Sequence, residues 1–184
     1  FTLYDSLQNY DLIDRNDIKK KIEKNFFDFI IYGSIRGKNL FLEEAIKSKS
    51  KIVFVNTSDD GYIDKSKTDK GIYFKRELYS VEKNVFPINF AIPKKKIISS
   101  INLCPENILS PLIPGKMDTY IYEKENKYYE MYQNSIFSLT YKKNGWDCLR
   151  HYEILANGSI PLFIKLNDCP KNTLTSLPKK ELLK

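Results

Sequence analysis

Residues Lys142 to Phe163, KKNGWDCLRHYEILANGSIPLF, hold the only tryptophan, Trp146, and the only histidine, His151. Lys142, Lys143, Arg150 and His151 gather basic groups ahead of and into a segment with the marks of a helix. Asp147 suits an N-cap and Gly158 a stop. A helix start is the positive end of a dipole and ordinarily favours acidic side chains. Cations placed there suit a bound anion, above all phosphate on free backbone N–H groups. The same spacing also describes a solvated basic face over a Tyr/Leu core stripe. On a 3.6-residue period, Cys148, Leu149, Tyr152, Leu155 and Ala156 share one side. Arg150, Glu153 and Asn157 share the other, with His151 at its edge.

Other chemistry-bearing residues are fewer. Asp59-Asp60-Gly61 resembles a carboxylate pair for metal binding, but its spacing differs from Asp-x-Asp and suits a turn better. Either aspartate, Asp59 or Asp60, would also serve as a general base. Gly33 to Gly37, with Arg36, follows a strand and would serve either as a phosphate loop or as a plain connection. It lacks P-loop spacing. Lys75 and Arg76 close a third strand; they would reach a phosphate or pair with Glu77 and nearby acids. One histidine and three cysteines without CxxC spacing give no zinc pattern. With no GxSxG elbow either, His-dependent nucleophilic catalysis is disfavoured.

The elements that must position these residues alternate. A helix is expected over 17–24, a buried strand over 26–32, a helix over 39–47 and strands over 51–56 and 71–78. Residues 85–92 suggest an edge strand broken by Pro87. Residues 99–117, with Pro105, Pro111, Pro114 and Gly115, read as a linker. Beyond it come a short strand over 118–122, a helix over 125–134, a strand over 136–141, the helix before Gly158 and a strand over 159–163. Asn167 to Lys184 read as loop and then a helix start. This order predicts an α/β fold, a Rossmann-like parallel sheet flanked by helices. It splits into an α/β half over 1–98, the linker 99–117 and a second half over 118–184. The strand ending at Tyr141 would deliver Lys142 and Lys143 to a carboxyl edge, where open α/β sheets bind ligands.

Arg150-x-x-Glu153-Ile-Leu-Ala-Asn-Gly158-Ser-Ile-Pro161-Leu resembles the R-x-x-E-A-L-x-x-G-C-I-P-V segment of exostosin-like glycosyltransferases. More loosely, it is similar to the corresponding segment of GT-B transferases generally. The resemblance covers about 20 residues closely, with a looser match over 128–173. It implies a GT-B-like fold, compact or truncated, whose second half binds a nucleotide sugar. Glu153 would then bind ribose or sugar hydroxyls, while Lys142, Lys143, Arg150 and His151 hold the diphosphate. Trp146 would shape the pocket or stack on the base. The implied activity is metal-independent transfer of a sugar to a glycan or other acceptor, with the nucleotide sugar as substrate and no cofactor. Many such enzymes carry an earlier glutamate where this chain has Gly145, so either Asp147 substitutes or the pair is unused.

Composition fits this class without selecting it. The 184 residues are 42% hydrophobic and 29% charged, an ordinary globular balance. The first residue is Phe1 rather than methionine, and the length is short for two full Rossmann-like domains. Both suggest a piece of a longer chain. The cysteine usage fits a reducing cytoplasm. No apolar run reaches membrane-span length, while a net charge of +7 favours anionic ligands or the inner face of an anionic membrane. A non-catalytic glycan- or nucleotide-binding module derived from a transferase is the first alternative. A basic nucleic-acid-binding domain is the second, although no known nucleic-acid motif supports it and no nucleic acid is expected as partner.

Overall fold

The computed structural model describes residues 17–33 and 39–184. The expected loop around Arg36 lies outside the described residues. The chain forms two compact units. The first takes residues up to Thr57 with Ile63–Lys75 and Glu82–Phe86; the second takes Ser58–Tyr62, Arg76–Val81 and Pro87–Lys184.

The first unit holds α1 (Ile18–Glu23), β1 (Phe29–Gly33), α2 (Leu42–Lys47), β2 (Lys51–Asn56), α3 (Lys65–Thr68), β3 (Ile72–Lys75) and most of β4 (Val85–Pro87). The sheet order is β1-β2-β3-β4, with β1, β2 and β3 parallel. Register aligns Tyr32, Phe54 and Tyr73 on one face, where their rings pack in sequence. Ile31, Val53 and Ile72 align on the other. The run 26–32, expected to be buried throughout, is half-buried at Phe27, Ile30 and Tyr32 and exposed at its other positions. It supplies an edge strand, so Phe29 and Ile31 remain exposed. Helix α2 starts later than expected because Phe41 adopts a left-handed φ of 57°. Pro87 closes the short edge strand β4, the role a residue without an N–H can fill.

The second unit holds β5 (Asn107–Leu109), α4 (Glu125–Gln133), β6 (Ser135–Tyr141), α5 (Leu149–Ala156), β7 (Ile160–Ile164) and α6 (Lys179–Leu182). Its strands run parallel in the order β5-β6-β7. Strand β5 falls inside the stretch expected as a linker: its three residues pair with β6, a tertiary choice that a short Pro-flanked run does not advertise. The strand expected over 118–122 is instead a 3-10 turn at Met117–Thr119. There the Thr119 hydroxyl bonds the Ile113 main chain, which holds the segment in a turn rather than a ladder.

Residues Ser138 and Thr140 of β6 share a face with Pro161 and Phe163 of β7. That face packs on α5, with the Phe163 ring 4.5 Å from the His151 ring. The opposite face is apolar and open. Leu109, Ile160, Leu162 and Ile164 remain 45, 46, 42 and 48% exposed, and they frame Phe137 and Leu139 in register. Among the described residues, two buried clusters support the unit. One joins Leu112 and the α4 tyrosines to Ile154; the other joins Trp146 to Leu166, Leu174 and Leu177.

Helix α5 ends as expected at Gly158, whose φ is +80°. The Gly158 N–H bonds Leu155 O and the Ser159 N–H bonds Ile154 O, the paired pattern of a Schellman stop. Among the described residues, no helix is long and apolar enough to cross a membrane.

Candidate functional site

Strand β6 delivers Tyr141 to its carboxyl end, and residues 142–148 then lead into α5. Lys142, Lys143 and Asn144 are exposed, whereas Gly145, Trp146 and Asp147 are buried. The Lys142 ammonium lies 5.2 Å from the Trp146 ring centre. Cys148, not Asp147, is the N-cap of α5, and its side chain makes no capping bond. The first-turn N–H groups therefore lack the side-chain acceptor that usually serves them.

Asp147 fails as a cap because its carboxylate is used elsewhere. Its Oδ2 accepts the Phe90 N–H at 2.9 Å. Burial raises its pKa, opposed by that bond and by the Arg76 charge. The Asp147 main chain is held as well. Its N–H donates to Glu77 Oε1 at 2.9 Å, and Arg76 Nη1 donates to its carbonyl. Arg76 Nη2 donates to Asp59 Oδ1, and the guanidinium carbon lies 5.1 Å from the Phe90 ring centre. Arg76 and Glu77 are buried, while the Asp59 side chain is 50% exposed. A Cβ on Gly145 would stand 2.6 Å from Glu77 Oε1 and 3.0 Å from Asp59 Oδ1. Carboxylates from elsewhere in the chain thus crowd the position that carries a glutamate in the resembling family.

Asp59 is therefore beside the 142–148 loop. Asp60 plays a local part: its Oδ1 accepts the Tyr62 N–H at 2.9 Å and the Ser58 hydroxyl at 3.2 Å. That is the Asp turn favoured by the sequence. Among the described residues, no group of three or more His, Cys, Asp or Glu side chains is arranged to hold a metal ion.

His151 is fully buried. Its Nε2 is 2.9 Å from the Trp146 carbonyl, which can only accept, so Nε2 carries the proton. Burial, opposed by that bond and reinforced by Arg150, pushes its pKa down to about 4. The neutral ring then accepts from the Thr140 hydroxyl at Nδ1, 2.9 Å away. His151 ties β6, the loop and α5 together and offers no charge to a diphosphate at neutral pH. Trp146 is likewise a core residue stacked near Phe163, with centroids 6.2 Å apart.

Glu153 is buried against α4. Its Oε2 accepts the Tyr128 hydroxyl at 2.9 Å and its Oε1 the Tyr129 hydroxyl at 3.3 Å. Burial raises its pKa against those bonds. Tyr128 also lies 2.9 Å from the Tyr132 hydroxyl, and Tyr129 reaches Glu125 at 3.2 Å. The side of α5 read as either a solvated or a ligand-facing surface is therefore internal at Glu153 and Asn157. Asn157 accepts from Gln133 and donates to the Glu153 carbonyl. Periodicity registers polarity, not whether a neighbouring helix supplies hydroxyl partners. Arg150 is half-buried and donates from Nη2 to the Tyr120 hydroxyl at 3.0 Å.

The structure thus sets Asp59 against Gly145 of the loop that carries exposed Lys142 and Lys143 and leads into α5, with Arg150 in the first turn. It turns His151, Glu153 and Trp146 inward. Glu77, read in the sequence only as a pairing partner for Lys75 and Arg76, also accepts the Asp147 N–H; its signal was the charged triplet ending an apolar strand. Compared with protein-family models, curated proteins and solved structures, the chain matches none.

Proposed function

We propose that the chain is the donor-binding part of a glycosyltransferase, moving a sugar from a nucleotide sugar to a glycan or other acceptor hydroxyl. One observation carries the reading beyond the resemblance at 150–162. A cationic loop at a strand's carboxyl end opens onto a helix start without a side-chain cap, and a half-exposed carboxylate, Asp59, stands beside it.

In this reading Lys142, Lys143 and the first-turn N–H groups of α5 hold the diphosphate, with Arg150 adding charge from the helix side. Such fixed donors stabilise a leaving group as its charge grows. The acceptor oxygen bonds to the sugar C1, the bond from C1 to the phosphate oxygen breaks, and its electron pair leaves on the diphosphate. In an inverting enzyme the acceptor proton passes to a carboxylate, for which Asp59 is the candidate. Glu153, His151 and Trp146 keep α5 and the loop in place rather than touching the donor. This placement departs from the ribose role that the resemblance implies for Glu153.

Calorimetric titration with UDP, GDP and CMP, followed by their sugars, tests the proposal. Saturable binding is expected for one base. The Lys142→Ala/Lys143→Ala double variant should weaken it by about tenfold or more, roughly 1.4 kcal/mol. No saturable binding by a chain shown to be folded would overturn it. Binding without turnover would favour the non-catalytic module.

A further inference from the structure

Arg76 makes more contacts with the loop than a stabilising ion pair requires. Its Nη1 donates to the Asp147 carbonyl, its Nη2 to Asp59 Oδ1, and its flat face lies on Phe90. Glu77 Oε1 is 3.5 Å from Nη1 and accepts the Asp147 N–H. Buried Glu77 already supplies a counter-charge, yet the guanidinium also engages Asp59, whose side chain is half in solvent. That second carboxylate gives up Oδ1 to the fork and, among the described residues, leaves Oδ2 outside the pairing. Gly145 completes the arrangement, since only a residue without Cβ lets the main chain lie against both carboxylates.

We propose that Arg76 is a positioning residue of this site, holding the Asp59 carboxylate and the main chain at Asp147 as one piece, so that Asp59 presents its free oxygen to a ligand hydroxyl beside the cationic loop. The proposal rests on the donor-site reading. It names the group that fixes where that carboxylate stands. A guanidinium suits the task because its fork makes two directed bonds at once, which an ammonium cannot reproduce.

Trp146, the only tryptophan, adjoins Asp147 and reports the loop by its emission. Arg76→Lys keeps the charge and loses the fork. It is expected to shift Trp146 emission to the red and lower affinity for the nucleoside diphosphate at least tenfold. Asp59→Asn is expected to leave the emission unchanged and lower nucleotide-sugar turnover. Asp59→Glu should be as poor as Asp59→Asn, because a longer side chain keeps the charge but cannot keep the position. Unchanged emission and affinity in Arg76→Lys would overturn the proposal, as would near wild-type turnover in Asp59→Glu. Should Arg76→Lys fail to fold, the two Asp59 variants decide. A wild-type chain that binds no nucleoside diphosphate would sink the donor-site reading instead. The clamp would then be judged on Trp146 emission and on the coupling between Arg76→Lys and Asp59→Asn in urea unfolding, with additivity counting against it.

Discussion

Removing the Thr140 hydroxyl isolates one nitrogen of a fully buried imidazole. Thr140→Val keeps the shape of the side chain but leaves His151 Nδ1 without its donor. The expected cost is about 1–3 kcal/mol, the penalty for an unsatisfied buried acceptor. It should appear as a lower urea midpoint with an unchanged m-value. The lone histidine was conspicuous in the sequence, and its chemistry suggested an anion ligand. Nothing local announced Thr140 or the Trp146 carbonyl as its partners, because both are defined by the packing of α5 on β6. Asp59 was legible as a carboxylate and as part of a turn, but its place beside Gly145 depends on Arg76. Glu153 shows the reverse problem: its position on the helix was correct, and its tyrosine partners on α4 read only as core aromatics.

At the scale of elements, the connection from β6 to α5 is tightly constrained. Its main chain is pinned at Asp147 by Glu77 and Arg76, and at Gly145 there is no room for a methyl group. Gly145→Ala is expected to destabilise by about 1–3 kcal/mol, as overpacking does. It should also move the Trp146 emission, whereas an alanine at exposed Asn144 should do neither. Thermal unfolding followed by intrinsic fluorescence checks both. Strands with apolar runs and helices with clear stops were readable in advance, including the Gly158 stop and the edge strand at Pro87. Strand β5 and the turn at Met117–Thr119 were not, since three-residue elements carry too little pattern to outweigh their partners.

For the whole molecule, buried titratable groups make stability depend on pH with opposing signs. His151 has a folded pKa of about 4 against an ordinary 6.5. Its neutral form therefore stabilises the fold above pH 6.5. That contribution is lost as pH falls through about 4, because the unfolded chain takes up the proton first. A shift of that size is worth about 3 kcal/mol. Glu153 and Asp147 act oppositely: their raised pKa values make the folded chain the better proton acceptor, so acid relieves them. Glu153→Gln removes one opposing contribution. Its urea-derived stability should fall more steeply than wild type as pH drops toward 4.5, and an equal slope would count against a strained Glu153. The net charge that suggested an anionic partner says nothing of these buried groups, which are visible only once burial is known.

The uncovered apolar face of the β5-β6-β7 sheet has a practical consequence for judging whether a preparation is folded. Dyes such as ANS brighten on exposed hydrocarbon, and brightening is commonly taken as the mark of a loosened, molten state. Leu109, Ile160, Leu162 and Ile164 offer that surface in the native chain. Well-folded protein should therefore brighten the dye while keeping a sharp near-ultraviolet dichroism signal and a cooperative melt. For this chain, dye fluorescence alone would condemn good material.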